Sequence, residues 1–237
     1  MINSILYYSP YYVNTSYYSL ILAALILSVV AQIWLSKAYR ENSKTPNQRN
    51  LSGRLTAQYM LQSRGVLNVR IEKIPGTLND HYDPINEVLR LSEAIYDGTS
   101  IASVAVAAHE AGHAIQFHQG FLPGVIRTRL FPIARVGSTA GPYFALFGIF
   151  LQSSLLFQIG ILLYLLAFAF YLITLPVEFD ASRRALAILG DEQMLNQEEL
   201  RGARKVLQAA AMTYIASALI AFVSVLRLIL MNRRYHD

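Results

Sequence analysis

Apolar positions along this chain gather into long uncharged runs separated by polar stretches of shorter period. Residues 1–36, 136–177 and 206–226 contain no Lys, Arg, Asp or Glu. An uncharged apolar run of about 20 residues is long enough to cross a bilayer core as a helix. The first run predicts a span from Tyr18 to Leu35, with Trp34 as an interfacial anchor and Lys37, Arg40 and Lys44 directly after it. Tyr7, Tyr8, Tyr11, Tyr12 and Tyr17 precede the span. Tyrosine rings favour the membrane–water boundary, so residues 1–36 read as an interfacial segment plus a first transmembrane helix.

The run 136–177 is too long for one straight span and breaks weakly at Gln152–Gln158. It predicts a transmembrane hairpin of two helices, about 138–154 and 158–176. Gly137 and Gly141 have the small-xxx-small spacing that lets membrane helices approach closely. Residues 206–237 form a last apolar helix with a basic tail. About four apolar helices are therefore expected.

The polar stretch 37–135 has a different texture. Leu51–Ser63 predicts a short amphipathic helix, and the alternation in Val66–Ile74 predicts a strand. Pro75–Pro84, with Gly76, Asn79 and Asp80, reads as loop. Val88–Ser92 could add a second strand and complete a small hairpin or ribbon. Thr99 or Ser100 can cap a helix that runs to about Gln119, where Gly120 stops it. Residues 178–205 are polar again.

Composition narrows the class. Only 15% of the 237 residues are charged, against about 25% in ordinary soluble domains. That excludes a disordered chain and a soluble two-domain enzyme. With no cysteine at all, disulfide scaffolds, thiolate metal sites and cysteine nucleophiles are excluded too. The net charge of +5 does not indicate nucleic acid, because the basic residues cluster beside the spans and no nucleic-acid-binding signature is present. With 37–135 on the cytoplasmic side, 17 of the 20 Lys and Arg lie inside, as the positive-inside rule requires. Four spans would put Arg227, Arg233 and Arg234 outside, so the side of the C-terminus stays open.

The chemistry is concentrated in His109-Glu110-Ala111-Gly112-His113, an H-E-x-x-H pattern on a predicted helix. A spacing of four puts both imidazoles on one helix face, where they can hold one zinc. Glu110 then lies beside the metal, free to act as general base toward metal-activated water. At this composition the pattern is expected by chance about 0.004 times. A catalytic zinc usually has a third protein ligand. Six residues beyond His113 stands Gln119, and His118 is off the ligand face, so neither extends the motif. Glu178 is the expected third ligand, with Asp180 in reserve, both in Pro176-Val-Glu-Phe-Asp-Ala-Ser-Arg-Arg directly after an apolar run. Tyr82, Arg183 and Arg184 are candidates for contact with substrate or its oxyanion. Gln116 and His118 read as ordinary polar residues near the helix end.

Three segments, HEAGHAIQ (109–116), NDHYDPINEVLRLS (79–92) and PVEFDASRRA (176–185), resemble the YugP-like family of membrane zinc metallopeptidases. The resemblance implies a gluzincin-type endopeptidase, similar to HtpX and the CAAX prenyl proteases, in which His109, His113 and the Glu178 motif hold zinc and Glu110 is the base. It departs from those relatives at Ser182, where an Asp is expected four residues after the third ligand. HEAGHA is also similar to the FtsH proteases, but no phosphate-binding G-x-x-x-x-G-K-[ST] occurs, so no ATP-driven step is expected.

The expectation is a mainly α membrane protein, multi-pass in a bacterial cytoplasmic membrane, with a small cytoplasmic α+β zincin-like catalytic region over 37–135 and 178–205. Its partners would be the lipid bilayer and a peptide or protein substrate, with a second copy or another membrane protein left open. The rival is a non-catalytic membrane scaffold or accessory protein with a structural zinc or none.

Overall fold

The structure, a computed structural model, describes the backbone of residues 10–236 and the side chains of residues 18–231. Tyr7 and Tyr8, the side chains of Tyr11, Tyr12 and Tyr17, and those of Arg233 and Arg234 fall outside the described residues. The elements in chain order are α1 (Pro10–Asn42), α2 (Gly53–Ser63), β1 (Arg70–Ile74), β2 (His81–Asp83), β3 (Val88–Ser92), α3 (Glu93–Tyr96), α4 (Ile101–His118), α5 (Leu122–Phe150), α6 (Ser154–Asp191) and α7 (Gln197–His236). The chain is mainly helical with one small sheet.

Two compact units result. One comprises residues 1–31, 130–172 and 214–237; the other comprises 32–129 and 173–213.

The first unit is built for an apolar solvent. Its large apolar side chains point outward: Leu22, Val29, Phe147, Leu155 and Leu162 are all exposed. Its interior includes Phe157 and Leu228 beside Ala145, and glycines stand where α5 meets α6. A Cβ on Gly137 would lie 2.5 Å from the carbonyl oxygen of Leu163, one on Gly148 2.5 Å from the amide nitrogen of Phe157, and one on Gly160 2.6 Å from that of Ala145. The α5–α6 hairpin thus packs backbone against backbone, the arrangement used where lipid removes the hydrophobic drive between helices.

Among the described residues three helices are long and apolar enough to cross a membrane: Tyr18–Asn42, Ser154–Asp191 and Gln197–Met231. The fourth expected span falls within α5, which does not qualify. Arg127, Arg129 and Arg135 occupy its first half, and Gly137, Ser138, Thr139, Gly141 and Pro142 dilute the rest. Nor does Pro176 end a helix. It lies inside α6, so the third-ligand segment continues the same helix. An interior proline removes one hydrogen bond and can kink a helix without terminating it. The hairpin turn falls at Leu151–Ser153, ahead of the expected break, with Gln152 at φ 52°.

The second unit has a conventional hydrophobic core. Met60 of α2, Leu89 and Leu91 of β3, Ile95 of α3, Val104, Ala108 and Ile115 of α4, Leu189 of α6 and Leu207 of α7 are buried together. The sheet order is β1-β3-β2. β3 is parallel to β1, with Arg70 opposite Val88, and antiparallel to β2, with His81 opposite Arg90. A central strand needs apolar residues on both faces, and Val88, Leu89 and Leu91 supply them; β1, at the edge, carries Arg70, Glu72 and Lys73. The expected ribbon is therefore a mixed sheet, with a three-residue strand inside the segment that reads as loop.

The helix that carries the motif begins where its cap predicts. Ser100 Oγ accepts a hydrogen bond from the Ser103 amide, and Gly120, at φ 65°, follows the last turn.

Candidate metal centre

All the site residues belong to the second unit. α4 presents His109 and His113 on one face, and α6 brings Glu178 to them. Gly112 is what permits this approach: a Cβ there would lie 2.8 Å from the Ala181 carbonyl oxygen, a backbone atom that cannot rotate away. Ala111, Ala181 and Ala185 are fully buried.

His109 Nε2 stands 3.1 Å from Glu178 Oε2 and 3.1 Å from His113 Nε2, and the third edge, His113 Nε2 to Glu178 Oε2, is 3.6 Å. A tetrahedral zinc with ligands about 2.0–2.1 Å away would separate them by about 3.3–3.4 Å. Among the described residues this is the one group of three or more His, Asp or Glu side chains whose ligand atoms converge in this way. Glu178 is 2% exposed at its side chain, the histidines 13% and 12%.

The hydrogen bonds behind the triangle decide which atoms are free to ligate. Gln116 Nε2 donates to the Val177 carbonyl at 2.9 Å and to Asp180 Oδ2 at 2.8 Å. Both partners accept only, so the amide is oriented with Oε1 toward His113. His113 Nδ1 must therefore carry its proton, and donates it to Gln116 Oε1 at 3.0 Å. In the neutral ring this leaves His113 Nε2 as a bare lone pair. His109 Nδ1 has the Ser182 hydroxyl 3.1 Å away; with that oxygen accepting, His109 Nε2 is bare as well. With both rings neutral and oriented this way, two lone pairs and a carboxylate oxygen face one another, an arrangement that a bound cation would satisfy. Glu178 Oε1, buried, has no hydrogen-bond partner; the Arg127 guanidinium approaches it to 3.2 Å as a charge, without hydrogen-bond geometry. The donor set, two imidazoles and one carboxylate, suits zinc.

Comparison with known proteins agrees with this chemistry. A family model described as "Putative neutral zinc metallopeptidase" matches residues 17–233. The chain belongs to that family. It is also 41% identical over 211 residues to "Putative membrane protease YugP" of Bacillus subtilis (strain 168), an alignment covering 89% of this chain and 94% of that protein. No solved structure matches. The family implies zinc, and the relative's name together with the three apolar helices points to a membrane protein.

The remaining expected site residues are placed as follows. Glu110 is partly buried on α4, and its Oε2 accepts a hydrogen bond from the Tyr82 amide at 3.1 Å. Burial pushes the Glu110 carboxyl up to about 7, reinforced by the negative charges of Glu178 and Asp80 and opposed by the Arg127 guanidinium. Tyr82 thus meets the site through its backbone, while its ring packs against Phe117 at 6.1 Å. Asp180 stays out of the triangle because its carboxylate is taken by Gln116, Arg183 and Arg184. Arg183 and Arg184 are held on Asp180, and Arg184 also reaches Gln119. His81 and Asp83 serve the sheet. His81 contacts the Asn79 carbonyl, and Asp83 accepts from the Ile85 and Asn86 amides and pairs with Arg90 at 2.8 Å. His118 is exposed at the helix end.

Two groups escaped the sequence reading. Gln116 is no surface residue: it is 2% exposed and orients His113. Its spacing of three from His113 on a helix was the available signal. Arg127 gave none, since nothing in the sequence pairs it with Glu178 across 51 positions.

Proposed function

We propose that this protein is a zinc-dependent endopeptidase that cleaves membrane or membrane-adjacent proteins, with its zincin-like region on the cytoplasmic side. The observation that carries this reading is the convergence of His109, His113 and Glu178 with a separate carboxylate, Glu110, on the same helix. A site meant only to bind structural zinc has no use for that carboxylate and needs a fourth protein ligand. Among the described residues only three such groups converge there, and Asp180, the reserve ligand, is engaged by Gln116, Arg183 and Arg184.

In this reading His109, His113 and Glu178 hold the metal. Zinc held there supplies Lewis acidity, polarising a peptide carbonyl and making water a nucleophile near neutral pH. Gln116 and Ser182 keep the imidazoles in the tautomer that ligates, with Ser182 taking the place that an Asp has in similar proteases. Glu110 accepts the proton of the attacking water and returns it to the departing amine, and the Tyr82 amide aims its carboxylate. A carboxyl that ionises near neutrality is matched to that exchange. Arg127 is the cation that reaches the site's own carboxylate, and so the group on hand for negative charge developing on the substrate oxygen. β1 and β2 are the sheet's edge strands, and of these β2 borders the site, its Tyr82 amide being taken by Glu110; β3, paired on both sides, offers no edge to an extended substrate.

Glu178 follows directly on the apolar run that ends at Val177, so the reaction is assigned to the membrane surface and its substrates to chains lying there. α5, packed against α6 through its glycines, supplies a fourth membrane helix in this reading.

The test is a Glu110→Gln protein assayed on an unfolded, fluorescently labelled protein substrate. Hydrolysis should fall by about 10²–10⁴-fold, the range for loss of a general base, with zinc content unchanged. Hydrolysis at the parent rate would sink the mechanism; a parent that binds zinc and hydrolyses nothing would favour a scaffold.

A further inference from the structure

The unit comprising residues 1–31, 130–172 and 214–237 contains a partly open cavity of about 430 Å³, within the size range of small-molecule sites. Its walls are apolar, formed among others by Ala24 of α1, Pro142 and Ala145 of α5 and Val223 of α7. Tyr164, Ser224 and Arg227 are the polar side chains that line it. The Ser224 hydroxyl already donates to the Ile220 carbonyl at 2.8 Å, so it has no proton for a ligand. The recognising charge is Arg227, which is exposed and ends a run of 21 uncharged residues, 206–226.

Among the described residues of its own unit, Arg227 has no carboxylate to pair with. Residues 1–31, 130–172 and 214–236 contain not one Asp or Glu. A guanidinium bordering an apolar cavity in membrane helices is costly unless an anion meets it. The anion must also suit an apolar groove and a surface of exposed leucines and phenylalanines. An amphiphile with a negative headgroup has both properties, and the guanidinium fork matches a phosphate bidentately.

We propose that this cavity binds an anionic phospholipid, one acyl chain occupying the apolar groove and the headgroup phosphate pairing with Arg227. The site is independent of hydrolysis at the metal centre.

The experiment is native mass spectrometry on the full detergent-solubilised chain, incubated separately with phosphatidylglycerol and phosphatidylcholine. The parent should retain phosphatidylglycerol about five-fold better than phosphatidylcholine, the effect of one basic side chain toward anionic lipid. Arg227→Gln should erase that preference, and Arg227→Lys should keep most of it. Equal retention of the two lipids by the parent overturns the proposal without reference to any variant. So does undiminished preference in Arg227→Gln, or displacement of the bound lipid by inorganic phosphate alone. A lipid-free dimer of the parent would also overturn it, by making a second copy the occupant.

Discussion

The two units of this protein both bring helices together over glycine, but toward opposite ends. In the unit of the metal centre, Gly112 lets α6 approach α4 so that a carboxylate can meet two imidazoles. Around that contact polar groups accumulate in order: histidines, then Gln116 and Ser182, then Asp180 with its arginines. In the membrane unit, Gly137, Gly148 and Gly160 produce equally close contacts against the backbone of Leu163, Phe157 and Ala145, apolar residues that bring no side-chain hydrogen-bonding group. Close packing is therefore general in this chain, and chemistry arises only where the residues beside the glycine can hydrogen-bond.

That comparison predicts the largest effect for Gly112→Ala. The new methyl would press on the Ala181 carbonyl, so α4 and α6 must separate. Overpacking of this kind costs about 1–3 kcal/mol, and here it falls on the geometry of the triangle. Zinc affinity, followed by competition with a chelator, should fall by up to about 100-fold. Gly160→Ala makes a similar clash with Ala145 and should lower the thermal midpoint with zinc affinity intact. If both variants lose zinc equally, the two glycine contacts are not separate devices.

Ser182→Ala should act next most strongly. It removes the partner of His109 Nδ1 and leaves the three ligand atoms in place. Loss of such a partner typically costs 10–100-fold in metal affinity or activity. Ser182→Asp should restore the loss, because a carboxylate accepts from Nδ1 at least as well as a hydroxyl. Affinity unchanged in Ser182→Ala would mean that the hydroxyl does not select the tautomer.

A smaller effect concerns pH. In the proposed mechanism Glu110 serves as base only when ionised, so hydrolysis should fall as its carboxylate is protonated. Burial puts that transition at about 7, and the positive charge of a held cation would pull it lower. The acid limb of the rate profile should therefore lie at or below about 7 and disappear in Glu110→Gln. An acid limb that persists in that variant would belong to another group.

Much of this was legible in the sequence for local reasons. Ser100 and Gly120 mark α4 by capping chemistry, and Val88–Ser92 marks β3 by its apolar residues. The candidate metal ligands were legible because His109 and His113 share a helix turn and because a chain without cysteine has few ligands to offer. What escaped depends on partners distant in sequence. β2 is only three residues long and exists because β3 pairs with it, so its own composition, His-Tyr-Asp, reads as turn. The continuity of α6 through Pro176 follows from helix-forming residues on both sides, which outweigh one missing hydrogen bond. Gln116 and Arg127 take their roles from the apposition of α4 and α5 with α6, which no local pattern encodes. α5 mixes arginines, glycines and prolines, and so qualifies as a span less readily than its neighbours.

In the proposed function His109, His113 and Glu178 together hold one zinc. The direct measurement is metal content per chain in detergent-purified parent protein, prepared without chelator, beside a Glu178→Ala variant. About one zinc in the parent and clear loss in the variant is the expected result. A parent without zinc, or a variant that keeps it, would contradict the account.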